Sequence, residues 1–423
     1  MKSRFLFAVA GATALVFALA GCSGSGGAGD SGGGSTTLEF QTGQAVDSAI
    51  LAQLKSVTKK FETANPSISI DLRPATSTYE SDMKVRLASG NVPDIWATHG
   101  WSLLRYSKFL APLQNEPWAK NFNPALDAAM KSADGKFYAF PVDTDVAGII
   151  YNEDVLDAAG IDPATLTTWD AFDSAAKKIA ASGVTPITVS GKDAGPAGNL
   201  ADWVASGAYS KAQLAALKKG TFADAPYTQV LELIASWKKD SFFNPDYVSA
   251  TSDDMARALA TGKTGFVFSQ NNTANNALQY NPNAKLGYIP VPSLIGGTPY
   301  LIGGEMNAYG ISKTTKNMTA AKKYIAFLAT PANAVELAKA AGSIPGLTNV
   351  KADLGVLQKS YDAVVKPGEF PLVPYFDRVY LPNGMWNTMV TTTDSVITGG
   401  QSNVASGVST MSKDYSRLQS QSK

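Results

Sequence analysis

The chain has few of the residues from which disulfides, zinc sites and nucleophile–histidine pairs are built. Its 423 residues include one cysteine, Cys22, and one histidine, His99. A lone cysteine has no disulfide partner, and one thiol with one imidazole is a poor donor set for zinc. A Ser-His-Asp hydrolase would depend on His99 alone, and the H-E-x-x-H motif is absent. We therefore expect neither a metal nor another cofactor.

The chain also lacks an excess of charge of either sign. It has 36 basic and 35 acidic residues. Nucleic-acid-binding domains usually carry a strongly basic face, so this balance argues against a nucleic-acid partner. A chain of 423 residues exceeds what one hydrophobic core comfortably supports, and we expect two lobes.

The N-terminus has an apolar run that is too short for a membrane-spanning helix. Lys2 and Arg4 precede the run, which extends from Phe5 to Ala20. A spanning helix needs about 20 apolar residues, whereas a basic start, a shorter apolar stretch and small residues at its end are typical of a secretory signal peptide. We assign residues 1–21 to this peptide.

The cysteine lies directly after that peptide, in the tetrad LAGC, which resembles the bacterial lipobox. The resemblance implies that Cys22 is lipidated and anchors the chain to the cell membrane, facing the extracellular side or the periplasm. Two or three acyl chains suffice for stable attachment. Residues 22–37, rich in Gly and Ser, would form a flexible linker, and we expect the folded part to start near Leu38.

Strands and helices alternate along the rest of the chain. Ser67–Leu72 alternates polar and apolar residues as a half-buried strand does, and residues 50–61 carry apolar side chains at helical spacing. Further strand candidates are Asp94–Ala97, Gly148–Tyr151, Pro186–Val189 and Phe266–Phe268. This alternation indicates an α/β fold with mainly parallel sheet.

Several segments carry a family resemblance. They are KFETANPSISIDL, VRLASGNVPDIWATHGW, ADGKFYAFPVDTDVAGIIYNEDVLDAAGIDPATLTTWDAF, ALATGKTGFVFSQ, GGEMNAYGISKTTKN and AGSIPGL. In this order they resemble the family 1 bacterial extracellular solute-binding proteins, the maltose-binding-protein-like receptors of carbohydrate ABC importers. The chain departs from the family at Gln270-Asn271-Asn272, where relatives often have an aromatic residue. Amide side chains would there replace the aromatic ring on which a sugar stacks, the sugar platform.

The resemblance implies a periplasmic-binding-protein-like fold of two α/β lobes, joined by three crossovers, with a ligand cleft between them. Lobe one would comprise residues 38–142 and 305–344, and lobe two residues 145–302 and 346–423. The implied function is capture of a sugar, expected to be an oligosaccharide, by lobe closure and its delivery to ABC permease subunits. Enzymatic activity is not implied.

The crossovers would lie near Val142–Thr144, Gly303–Gly304 and Ile344–Pro345. The glycine pair would have the backbone freedom that a hinge uses, or it would mark an ordinary turn.

A pyranose has apolar C–H faces and a rim of hydroxyls, so its site combines aromatic rings with amide and carboxylate groups. Such groups belong at the carboxyl ends of strands that face the cleft. The candidate ligand-binding residues are Gln44, His99, Trp101, Asp143, Asp145, Asn199, Trp203, Gln270, Asn271, Glu305 and Trp386. Trp386 matches the family's late stacking aromatic residue.

These candidates have structural alternatives. His99 can be a capped imidazole in a loop, and the tryptophans can be ordinary core residues. Asp143 and Asp145 can cap a hinge, and Glu305 can form a hinge salt bridge.

Two other functional classes remain open. A secreted glycoside hydrolase needs a pair of carboxyl groups, which 35 acidic residues do not exclude by number, although no local catalytic motif supports it. A binding protein for a polyamine, a metal or a phosphorylated solute would need several cleft acids or a basic cleft. The aromatic and amide candidates favour an oligosaccharide, and we expect the receptor to be a monomer.

Overall fold

The computed structural model describes residues 35–421, except 47, 77, 194 and 352–353. The predicted signal peptide, the predicted lipidation site Cys22 and most of the predicted linker lie outside these residues. Within the described part, none of the helices is both long enough and apolar enough to cross a bilayer.

The strands of the described residues are β1 (Thr36–Gln41), β2 (Ile68–Arg73), β3 (Ile95–Ala97), β4 (Ala139–Pro141), β5 (Asp143–Ala147), β6 (Ile149–Asn152), β7 (Thr185–Ile187), β8 (Thr264–Val267), β9 (Leu286–Ile289), β10 (Leu301–Gly304), β11 (Ala308–Ile311), β12 (Ile344–Pro345) and β13 (Leu372–Pro374). They form a five-stranded sheet in the order β2-β1-β3-β11-β4 and two four-stranded sheets in the orders β12-β5-β10-β13 and β7-β8-β6-β9.

The α-helices of the same residues are α1 (Ala49–Ala64), α2 (Tyr79–Ser89), α3 (Asp127–Met130), α4 (Glu153–Ala158), α5 (Trp169–Ala181), α6 (Pro196–Ala205), α7 (Lys211–Lys218), α8 (Asp224–Lys239), α9 (Ser252–Ala260), α10 (Asn272–Leu278), α11 (Met318–Leu328), α12 (Pro331–Ala341), α13 (Gln358–Ser360), α14 (Phe376–Tyr380), α15 (Met385–Gly399) and α16 (Val404–Gln421). Short 3₁₀ turns lie between several of them, one at His99–Trp101.

The local sequence explains where the first helix begins and ends. The side chain of Ser48 accepts a hydrogen bond from the backbone N–H of Leu51 and caps α1. Leu54, Val57 and Phe61 are fully buried on one face of the helix. The helix ends before Pro66, which lacks the N–H that a further turn needs. The predicted helix at residues 50–61 and the strand that follows it are confirmed as α1 and β2.

The expectation of mainly parallel sheet is wrong. β1 pairs in parallel with β2 and β3, β7 with β8, and β10 with β13. The pairs β3/β11, β4/β11, β5/β10, β5/β12, β6/β8 and β6/β9 are antiparallel. Alternation in the sequence predicts the type of each element, but the direction of a strand that returns after a long excursion depends on tertiary packing.

Separate apolar cores make two α/β lobes. One core contains buried residues from 38–142 and 308–347, among them Trp96 and Tyr309. A second, larger core contains buried residues from 147–302 and 375–415, among them Phe172 and Trp203. Each core therefore combines segments that lie far apart in the chain.

The three predicted crossover segments lie side by side in the sheet β12-β5-β10-β13. Thr144 pairs with Ile344, and Asp145 pairs with Gly304. Neither Gly303 nor Gly304 has a positive φ. A Cβ at Gly303 would lie 2.5 Å from the Leu372 side chain, and one at Gly304 would lie 2.7 Å from the Tyr375 ring. Side chains at these two positions would clash with Leu372 and Tyr375, so the glycines allow the close packing of this crossover.

Candidate ligand-binding site

Asp143 joins the first crossover to the segment that enters β11. Its Oδ1 accepts hydrogen bonds from the backbone N–H groups of Met306 (3.0 Å) and Asn307 (2.9 Å), and its Oδ2 accepts one from Asn307 Nδ2 (2.6 Å). Asn307 Oδ1 accepts a further hydrogen bond from Gln44 Nε2 at 2.5 Å. The donors that surround the buried carboxylate of Asp143 favour the hinge-capping alternative for this residue.

Asp145 lies where the crossover strands meet the helical segment after β13. Its Oδ2 accepts a hydrogen bond from the Tyr375 hydroxyl at 2.8 Å, and its Oδ1 accepts one from Ser343 Oγ at 3.5 Å. Burial raises the pKa of Asp145 to about 7, although the Tyr375 hydrogen bond opposes the rise. Asp145 thus contacts chain segments that precede β12 and α14.

Glu305 follows β10 directly and is completely buried. Neither of its carboxyl oxygens has a hydrogen-bond partner among the described residues. Burial raises the pKa of Glu305 to about 8, although the positive charge of Arg378 opposes the rise. The Arg378 guanidinium donates a hydrogen bond to the Glu305 carbonyl oxygen and not to its carboxylate. The raised pKa favours the protonated form of Glu305 at pH 7.

Arg378, in α14, is the central cation of this region and was not among the predicted site residues. Its Cζ lies 4.0 Å from the Tyr375 ring centroid and 5.9 Å from that of Trp101. A Cβ at Gly100 would lie 2.1 Å from Arg378 Cδ. The missing side chain of Gly100 therefore makes room for the stem of this arginine.

A pair of buried carboxyl groups lies beside Arg378. The backbone N–H of Asp377 donates to Asp202 Oδ1 at 2.8 Å, and Asp202 Oδ2 has no partner among the described residues. Burial raises the pKa of both carboxyl groups, and the charge of Arg378 opposes this rise in each.

We expect the stability of the chain to fall as the pH rises between about 4.5 and about 8, partly because of Glu305. Its carboxyl group ionises near 4.5 in its usual surroundings and at about 8 in the folded chain. Between these values the folded chain holds more protons than the unfolded chain. The contribution of Glu305 to the free energy of unfolding is therefore fully present below pH 4.5 and is lost as the pH rises through 8.

The variant Glu305→Gln keeps the shape of the side chain but does not ionise, so it should lack this part of the pH dependence. The free energy of unfolding of the variant minus that of the wild type should increase by about 1–3 kcal/mol from pH 5 to pH 8.5. Urea unfolding at both pH values measures this difference. The matched control is Glu336→Gln on the exposed side of α12, which should leave the wild-type pH dependence unchanged. Parallel pH profiles for Glu305→Gln and wild type would contradict the assignment.

Trp101 and Trp386 lie on the same small cavity of about 20 Å³. Trp101 packs against the core of residues 38–142 and 308–347, whereas Trp386 packs against the core of residues 147–302 and 375–415. Both indoles are half-buried, and the other tryptophans of the chain are buried. A Cβ at Gly198 would lie 2.8 Å from the Trp386 ring, so this glycine allows the ring to approach α6. The two lobes therefore each supply one aromatic ring to one space.

Asn199 and Gln270 form an amide pair in the second lobe. Asn199 Nδ2 donates to Gln270 Oε1 at 3.2 Å, and Gln270 Nε2 donates to Asn199 Oδ1 at 3.4 Å. Both residues line a polar cavity of about 250 Å³. Asn271 Nδ2 donates to the Val146 carbonyl, while its buried Oδ1 has no partner among the described residues. Trp386 lies on a different cavity from Asn199 and Gln270, although the Trp386 ring approaches α6 at Gly198, the residue before Asn199.

Trp203 is more enclosed than an open sugar platform would be, whereas the His99 side chain is 25% exposed. Trp203 is completely buried, its Nε1 donates to the Gly148 carbonyl at 3.2 Å, and its ring centroid lies 5.4 Å from that of Tyr375. The structure thus favours the alternative that Trp203 is an ordinary core residue. Burial lowers the pKa of His99, whose ring centroid lies 5.4 Å from that of Tyr79. The His99 imidazole is thus neutral at pH 7.

Sequence reasoning missed Asn307, Ser343, Tyr375, Asp377 and Arg378. One signal was present: the segment PYFDRVY places two opposite charges among aromatic residues. Charged residues are almost never fully buried unless they are paired, so such a segment indicates a buried ionic site. Within the described residues, no group of three or more His, Cys, Asp or Glu side chains is arranged to hold a metal ion.

Comparisons with known proteins agree with this architecture. A profile of the family described as bacterial extracellular solute-binding protein matches residues 56–363. The melibiose/raffinose/stachyose-binding protein MelE of Bacillus subtilis is 33% identical over 340 residues, 78% of each chain. A B. subtilis binding protein solved in an open conformation has a TM-score of 0.82 and 30% identity, and the match covers 92% of this chain and 98% of that one.

A sugar transporter of Bacillus licheniformis, solved in complex with stachyose, has a TM-score of 0.81 and 30% identity over 91% of this chain and 100% of that chain. All three relatives are described as binding or transport proteins and not as enzymes.

Proposed function

Since the chain belongs to the bacterial extracellular solute-binding proteins and serves as the sugar receptor of an ABC importer, we propose that its ligand is an oligosaccharide of the melibiose, raffinose and stachyose series. The observation that carries this proposal is the pair Trp101 and Trp386 on one cavity. The names of two relatives at 30% identity or more support the choice of sugar.

The proposed site combines the two kinds of group that a sugar needs. Trp101 and Trp386 would cover apolar faces of pyranose rings. The amides of Gln44, Asn199, Gln270 and Asn271 would bind hydroxyl groups, together with the carboxyl groups of Asp145 and Glu305. The raised pKa of Glu305 favours its protonated form, and a protonated carboxyl group can both donate to and accept from a hydroxyl. We place Asp143, His99 and Trp203 in the supporting structure around these groups.

Binding would close the lobes. A sugar that touches both tryptophans contacts both lobes at once, so it binds the closed form more tightly and shifts the population toward it. The crossover sheet β12-β5-β10-β13 would contain the hinge, with lobe one at residues 38–142 and 305–344 and lobe two at 145–302 and 346–423. The closed receptor would then dock on the permease subunits.

The proposed location follows from the N-terminal segment. The Cys22 thiol would take a diacylglyceryl group, residues 1–21 would then be removed, and the anchor would hold a monomeric receptor on the outer face of the membrane. Palmitate labelling of wild-type cells, compared with a Cys22→Ala variant, tests the anchor. Label on the wild type alone is expected, and equal labelling of both would contradict it.

The ligand is tested by titrating residues 35–423 with raffinose, stachyose and melibiose by calorimetry and by tryptophan fluorescence. Trp101 and Trp386 are the half-buried indoles, so sugar binding should change the emission. Affinity for at least one of these sugars should exceed that for maltotriose and xylotriose by about tenfold or more, because a mismatched sugar leaves buried polar groups unpaired.

Each sugar should be recovered intact after the titration. Shortened sugar would favour the hydrolase, whereas saturable binding of a different series would replace the proposed ligand and keep the receptor function.

A further inference from the structure

The guanidinium group of Arg105 lies over the ring of Trp101. Arg105 Cζ lies 4.1 Å from the ring centroid, within the range of a cation–π contact. The Arg105 side chain is 18% exposed and lines the cavity that Trp101 shares with Trp386. The position of this cation therefore bears directly on how the Trp101 ring is held.

Glu80 holds that guanidinium group. This residue lies in the first turn of α2, and its Oε2 forms an ion pair with Arg105 Nη1. Its other oxygen, Oε1, lies 4.0 Å from His99 Nε2. One carboxylate of α2 thus pairs with Arg105 and lies beside His99, which comes two residues before Trp101.

The backbone around Trp101 is fixed by local hydrogen bonds. Its carbonyl oxygen accepts from the backbone N–H groups of Arg105 at 3.0 Å and Tyr106 at 3.2 Å. His99, two residues earlier, has a φ of 47°, a conformation uncommon for residues other than glycine. With the backbone held in this way, the remaining freedom of Trp101 is in its side-chain torsions.

We propose that Glu80 and Arg105 are positioning residues for sugar binding. Glu80 orients the Arg105 guanidinium, and the guanidinium holds the Trp101 indole in the plane that a sugar ring requires. Arg105 acts through Trp101, and Glu80 acts through Arg105. This inference rests on the proposed function, because it assigns a role to residues that support the proposed sugar platform.

The test measures the affinity of five variants for the tightest-binding sugar of the wild type. Calorimetry is the suitable method, because loss of the guanidinium would itself alter the Trp101 emission. The variants are Arg105→Gln, Arg105→Lys, Glu80→Gln, the double variant Glu80→Gln/Arg105→Gln, and the control Lys108→Gln. Lys108 is matched to Arg105, since its Nζ lies 5.2 Å from the Phe109 ring centroid in the same segment, but it does not line the cavity.

Arg105→Gln should raise the Kd about fivefold, the effect of losing a partly buried cation–π contact. Arg105→Lys keeps a positive charge for both the Trp101 ring and the Glu80 carboxylate, and it should raise the Kd about twofold. Glu80→Gln should raise it about threefold, and the double variant should match Arg105→Gln, because Glu80 has no effect once the guanidinium is absent. Lys108→Gln should bind as wild type does.

A purely structural role would lower the urea midpoint of Arg105→Gln and would show no rescue by lysine. Unchanged affinity in Arg105→Gln would overturn the inference, and tighter binding would show that Arg105 covers the ring face that the sugar needs. If the free-energy effects of Glu80→Gln and Arg105→Gln on sugar binding add in the double variant, Glu80 does not act through Arg105. If the wild type binds no sugar at all, the proposed function and this inference both fall.

Discussion

Replacing Trp386 with alanine should weaken sugar binding about 30- to 100-fold. A buried aromatic ring at the centre of a binding surface contributes about 2–3 kcal/mol when it is truncated. Trp386 lines the same cavity as Trp101 and is backed by Gly198. Its loss therefore removes one of the two apolar surfaces against which a pyranose can stack.

Calorimetric titration of Trp386→Ala measures this effect, and Trp386→Phe is the matched control. Phenylalanine keeps an aromatic face, so its Kd should stay within about tenfold of the wild type. Urea unfolding of both variants separates a loss of affinity from a loss of folded protein, since Trp386 also packs against the second lobe's core. Wild-type affinity in the folded Trp386→Ala variant would show that this indole is ordinary packing.

Replacing Arg378 with methionine should lower the free energy of unfolding by about 3–5 kcal/mol at pH 7. The charge of Arg378 opposes the rise in pKa of five buried carboxyl groups, those of Asp143, Asp145, Asp202, Glu305 and Asp377. Removing one partner from a buried ionic group leaves uncompensated charge in a medium that solvates it poorly. Methionine preserves much of the apolar stem, so the measured loss reports mainly the charge.

The pH dependence distinguishes this explanation from simple loss of packing. At pH 5 more of these carboxyl groups are protonated, so the difference between Arg378→Met and wild type should be smaller than at pH 8. The matched control is Arg257→Met, because Arg257 also contacts a carboxylate and a tyrosine ring but is 53% exposed. An exposed pair contributes about 0–1 kcal/mol. A pH-independent loss in Arg378→Met would assign the effect to packing.

Much of the fold could be predicted because the relevant signals are local. The apolar spacing of residues 50–61 and the alternation in Ser67–Leu72 correspond to α1 and β2. The ordered motifs predicted two lobes and placed the crossover segments that pair in one sheet. Trp101 could be selected as a candidate because a large aromatic residue after a strand end is either core or platform, and Trp386 because it matches the family's late aromatic residue.

Other features could not be predicted, since they depend on contacts between distant parts of the chain. Arg378 reaches Gly100 and Trp101, and Asp145 binds Tyr375, across more than 200 residues of sequence. No local pattern specifies which side chain fills the space that a glycine leaves open. Trp203 illustrates the converse, because its position on the same helix as Asn199 does not show that its ring points into the core.

Element type and family membership follow from the order of residues, because hydrophobic period and turn chemistry act within a few positions. The direction of the returning strands, the raised pKa of Glu305 and the pairing of Arg105 with Glu80 of α2 were decided by tertiary structure. Each of these depends on burial or on a charge brought from another segment, and burial is a property of the folded chain as a whole.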